Sequence, residues 1–90
     1  VNVIKVYYNK NLKMTEGKLA AQCSHAVAGL VAQIGYDPTC KIIILEASQK
    51  KFYRLFEENS DKPVYMQTDL GYNEVESGTK TAFAYLEEKI

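Results

Sequence analysis

Eighteen residues near the start of the chain, "EGKLAAQCSHAVAGLVAQ" (16–33), repeat apolar side chains at helical spacing. β-branched and aromatic runs stand on either side, "VIKVYY" (3–8) before and "CKIIILEA" (40–47) after. A helix of that length extends about 27 Å, so the flanking strands cannot be joined as a hairpin. The helix must carry the chain from one end of the first strand back to the other. Such a crossover leaves the two strands parallel and is right-handed.

The pattern then recurs. Ser48 is placed to cap a second helix, "QKKFYRLFEEN", in which Phe52, Leu55 and Phe56 fall at helical spacing. Pro63 blocks further helix, and "VYMQT" (64–68) reads as a third strand. The loop "DLGYNEVESG" is too short for another crossover helix, so "TKTAFAYLE" (79–87) is expected to return antiparallel, as a hairpin partner of the third strand. The expected architecture is a single α/β domain over residues 1–90, with three layers. Its four-stranded mixed β-sheet has three parallel strands and one antiparallel strand, flanked by helices. The nearly unbroken apolar run "CKIIILEA" is expected to be a strand buried on both faces. Thr15 is the expected cap of the first helix, and Gly35 its terminator.

Composition removes several classes of function. Eleven basic and eleven acidic residues give a formal net charge of +0, so no global field draws in nucleic acid. Any RNA contact must come from a local patch, for which Lys10, Lys13 and Lys18 are the candidates. No apolar run approaches the roughly 20 residues that span a membrane, and the first residues lack a signal-peptide layout. A cytoplasmic protein is expected. Cys23 and Cys40 form no C-x-x-C pair, and one histidine cannot complete a Cys/His finger, so neither a metal nor a disulfide framework is expected.

On the first helix, Leu19, Ala20, Cys23, Ala26, Val27, Leu30, Val31 and Ile34 share a broad face that packs on the sheet. Lys18, Gln22 and His25 form a polar stripe roughly 60° wide on the other side. Gly29 falls within that stripe, although glycine costs a helix interior about 1 kcal/mol relative to alanine. Small residues on an outer face admit a partner or a substrate. Lys18 stands against the helix dipole, where an anion is welcome; it is either half of an electropositive pocket or a surface lysine. Chain direction brings Lys18, Asp69, Thr79 and Thr81 to one edge of the sheet, the carboxyl end of the parallel strands, where ligands bind in such folds. Cys23 and His25 point to different faces and make no thiol–base pair.

The segment "GKLAAQCSHA" (17–26), followed far along the chain by "PVYMQTDLG" and "SGTKTAFAY", resembles the type II peptidyl-tRNA hydrolases, the archaeal and eukaryotic kind. The resemblance covers most of the chain and identifies a shortened member. It implies hydrolysis of the ester between a peptide and the 3′-terminal ribose of tRNA, in the cytoplasm, by a homodimer that uses no cofactor and no metal. It places Lys18, His25, Asp69 and Thr81 at catalytic positions. Gln22, Ser24, Lys13, Asn73, Gly78 and Thr79 fall among residues expected to bind substrate.

Four features depart from the family pattern. "GYDPT" alone bridges the first helix and the second strand, where relatives carry a further helical segment. Glu16 stands near the motif lysine, Tyr72 and Asn73 occupy positions of an arginine and a threonine, and Glu74 and Glu76 add negative charge. Every phosphate left without a cationic partner weakens nucleic-acid binding. In the mechanism so implied, Asp69 orients and deprotonates water, Lys18 meets the oxyanion or an adjacent phosphate, and Thr81 donates a hydrogen bond to one of them. His25 either moves a proton or fixes Lys18 and Gln22. No covalent intermediate is expected, because no serine or cysteine has an activating base. The rival reading is a family relative without catalysis that binds RNA or protein.

Overall fold

The computed structural model of the chain describes residues 2–69 and 77–89. Its elements are β1 (Asn2–Asn9), a 3-10 turn (Lys10–Leu12), α1 (Glu16–Ile34), β2 (Lys41–Ala47), α2 (Gln49–Glu58), β3 (Val64–Thr68) and β4 (Lys80–Lys89). Thr15 stands in extended conformation at the N-cap of α1, and Gly35 ends that helix with a φ of 89°. Ser48 caps α2, its Oγ accepting from the Lys51 N–H at 3.4 Å.

The four strands lie in the order β2-β1-β4-β3. This corrects the expected sheet of three parallel strands. Among the described residues one parallel pairing exists, β1 with β2, while β4 is antiparallel to both β1 and β3. The hairpin of β3 with β4 is as expected; β4 also pairs with β1 and so lies inside the sheet. The reason lies in burial. Thr81, Ala82, Phe83, Ala84 and Tyr85 are all buried, so β4 needs a neighbour on each side and cover on each face. Strand β3 spans only five residues and follows a proline, which suits an edge.

A second correction concerns β2. It is an edge strand rather than one buried on both faces, with Ile42 45% and Ile44 52% exposed. Helix α1 packs on β4, β3 and β1 and leaves the α1 side of β2 partly open.

Two cores sit on opposite faces of the sheet, which makes the fold three-layered. On one, Cys23, Ala26 and Leu30 of α1 pack on Ile4, Val6, Ala82 and Ala84. On the other, Phe52 of α2 packs with Ala47, Phe83 and Tyr85. The Phe83 ring meets Phe52 and Phe56 edge-on, at centroid separations of 5.2 Å and 5.4 Å, a favoured aromatic geometry. Of the helical residues expected to pack on the sheet, Ala20 remains exposed.

Candidate active site at the ends of β3 and β4

Lys18 stands in the first turn of α1, and Asp69 follows the last residue of β3. The crossover after β1 and the shared sense of β1 and β3 deliver both to the same end of the sheet. They meet there: the Lys18 ammonium is ion-paired with Asp69 Oδ1, with side chains only 10% and 3% exposed. Breaking a buried pair of this kind by removing one partner costs about 3–5 kcal/mol. The Asp69 backbone is fixed as well. Its N–H donates to the Thr79 carbonyl at 2.8 Å, and its carbonyl accepts from the Gly78 N–H at 2.8 Å. Gly78 holds a φ of 86°, a region that glycine enters without steric cost.

A second, neutral pair lies in the same cluster. The Thr81 hydroxyl donates to Gln22 Oε1 at 2.5 Å, with Thr81 0% and Gln22 5% exposed. Strand alternation alone would not put Thr81 there. Ala82 and Ala84 face α1, while Phe83 and Tyr85 face α2, so a regular strand would turn Thr81 towards α2. The register shifts at this point: Gln67 pairs with Ala82 and Thr68 with Lys80, which leaves Thr81 as the extra residue of a bulge. Bulges re-aim side chains in this way.

Apart from the exposed His25, the polar stripe of α1 is therefore not an outer face. It runs along the flank of the helix that meets β3 and β4, through Lys18 to Asp69, Gln22 to Thr81, and Gln33, whose Nε2 donates to the Val64 carbonyl at 3.0 Å. Gly29 belongs to the same flank. A Cβ built there would collide with the Tyr65 ring, so the space left by glycine is filled by the protein itself. Tyr65 and Gln33 carried no sequence signal beyond the glycine in mid-helix.

Of the other expected residues, His25, Ser24 and Lys13 make no hydrogen bond or ion pair with this cluster. His25 is exposed, and its imidazole makes no hydrogen bond to the described residues. Ser24 is exposed on the β2 side of α1, lining an apolar groove of about 330 Å³ with Cys23, Val27, Ala28, Ile42 and Ile44. Lys13 is exposed and holds a φ of 51°. Asn73, with Tyr72, Glu74 and Glu76, lies outside the described residues. Of the three lysines expected to form a basic patch, Lys10 pairs with Glu46 at 3.5 Å and Lys18 with Asp69. Only Lys13 has no acidic partner among the described residues. Cys23 is a free, buried core residue whose thiol burial pushes up to about 11, unsuited to nucleophilic attack at neutral pH.

A three-layer α/β fold thus presents, at the ends of its strands, a buried lysine–aspartate pair beside a buried amide–hydroxyl pair. Residues 3–86 match the family of peptidyl-tRNA hydrolase PTH2, and the chain belongs to that family. No individual curated protein matches the chain. Among the described residues, no helix is long and apolar enough to cross a membrane.

Proposed function

We propose that residues 1–90 act as one peptidyl-tRNA hydrolase domain, cleaving the ester between a peptide and the 3′-terminal ribose of tRNA. The observation that carries this reading is the convergence of Lys18 and Asp69, from distant parts of the chain, in the family whose model spans residues 3–86. Water bound at Asp69 attacks the carbonyl carbon and gives its proton to the carboxylate. The tetrahedral intermediate then expels the ribose oxygen, which leaves with a proton, so that peptide acid and tRNA with a free hydroxyl result. Lys18 holds Asp69 in place through their ion pair. No covalent intermediate is required. His25, exposed on α1, is available to move protons to and from solvent, and Lys13 to meet a phosphate.

Purified protein should release free peptide from a peptidyl-tRNA. Asp69→Ala should lower the rate by about 10²-fold or more, as expected for a lost general base, and Lys18→Ala should do likewise. A wild-type chain that gives no release above buffer at high enzyme concentration would reject the reading. The neutral net charge and the pairing of Lys10 with Glu46 favour a rival in which the chain binds RNA or protein without turnover. That rival predicts tRNA binding insensitive to Lys18→Ala. A cytoplasmic homodimer belongs to the same proposal, supported by the exposed Ile42, Ile44 and Leu45 along the edge strand β2; light scattering of a monomer at high concentration would remove it.

A further inference from the structure

Of the two charged groups in the site, each is engaged with the other, and the neutral pair beside them has one end unused. The atom of Gln22 that meets Thr81 is its oxygen. A separation of 2.5 Å suits O–H···O, whereas an amide nitrogen would need about 2.7 Å or more. Because Oε1 only accepts, the hydroxyl of Thr81 must be the donor. The amide nitrogen Nε2 is then the free end, and it makes no hydrogen bond to the described residues. It is not sealed in either, because no buried side-chain nitrogen or oxygen among those residues lacks a partner. Gln22 is nonetheless 5% exposed and lies one helical turn beyond Lys18, so its N–H donors open from an otherwise buried side chain beside the ion pair.

We propose that Gln22 binds the carbonyl oxygen of the scissile ester and the oxyanion that forms on it. Thr81 is a positioning residue, which fixes the end of the amide that meets the substrate. This rests on the hydrolase reading and changes one assignment within it: Lys18 serves Asp69, and the oxyanion is left to a neutral donor. Two physical points support the division. Drawing Lys18 away to an oxyanion would break its ion pair with a carboxylate that is 3% exposed. An amide already fixed by a buried hydrogen bond needs no reorganisation as charge develops, which is the property an oxyanion donor requires. The bulge at Thr81 is what turns its hydroxyl towards Gln22.

The test is a double-mutant cycle on peptide release from a peptidyl-tRNA by the full chain. Gln22→Ala should lower kcat by about 10²–10³-fold, the usual effect of losing one such donor, with KM nearly unchanged. Gln22→Glu, of the same shape but without the N–H donors, should be at least as impaired. Thr81→Val should lose most of the activity and Thr81→Ser should restore it. In Gln22→Ala/Thr81→Val the second change should add nothing, because Thr81 acts through Gln22. Multiplying effects in the double variant, or a Gln22→Ala enzyme within about threefold of wild type, would overturn the role given to Gln22 while leaving the hydrolase reading intact. Wild-type protein without turnover would end both. Should the variants fail to fold, the wild-type side-chain amide resonances decide. Those of Gln22 should shift when a peptidyl-adenosine joined by a stable amide is added, and unmoved Gln22 signals with that analogue bound would reject the proposal.

Discussion

Asp37 shows how much one side chain can organise. The connection from α1 to β2 contains only residues 35–40, and its shape is set by this carboxylate. It accepts from the Thr39 hydroxyl at 2.6 Å, the Thr39 N–H at 2.9 Å and the Asn2 N–H at 3.0 Å, so it ties the bridge to the start of β1. Those bonds, the Thr39 hydroxyl first, hold its pKa at about 2, below the ordinary 3.8. A depressed carboxylate stabilises the fold above its unfolded pKa, and the contribution is lost as pH falls through the folded value. The thermal midpoint should therefore decline between about pH 4 and pH 2. Asp37→Asn should remove part of that decline while lowering the midpoint at neutral pH. An identical acid profile for the variant, followed by circular dichroism, would contradict the account.

Packing between elements explains a residue that local propensity disfavours. Alanine is the better helix former at position 29 by about 1 kcal/mol. The Tyr65 ring, however, occupies the space a methyl group would need, with Cγ as close as 2.5 Å. Overpacking of this kind costs about 1–3 kcal/mol, and the contact involves the root of the ring rather than a movable tip. Gly29→Ala should therefore lower stability in denaturant titrations. In a Tyr65→Ala background the same change should raise it, and an unchanged sign would show that the ring is not the cause. The two sheet edges also differ. Short β3 carries the Gln67/Thr68 irregularity and is held to α1 by Gln33, whereas β2 runs in continuous register with β1 and exposes isoleucine.

For the molecule as a whole, two small cores must together hold a chain of ninety residues. Phe83 is fully buried at the centre of the α2-side core. Its replacement by alanine should cost about 3–5 kcal/mol, a large part of the roughly 5–15 kcal/mol available to a domain; a loss below about 1 kcal/mol in urea unfolding would show that the core collapses around the gap. The positions of helices and strands were legible in the chain because spacing and propensity act within one segment. The meeting of Lys18 with Asp69 was legible too, since a crossover helix and strand direction determine which ends coincide. The full strand order was not legible: "CKIIILEA" reads as a strand buried on both faces and "TKTAFAYLE" only as the hairpin partner of the third strand, and competition for α1 and for sheet partners decided that β4 took the centre and β2 the edge. Nor was the Thr81–Gln22 bond. Its cause is a single extra residue that reverses the side on which a strand presents its side chain, and periodicity along one segment cannot register that against a strand and a helix distant in sequence. Sequence by itself thus determined the elements and the ends at which they gather. Tertiary packing decided which donors face one another there, because that depends on burial shared among segments and not on any one of them.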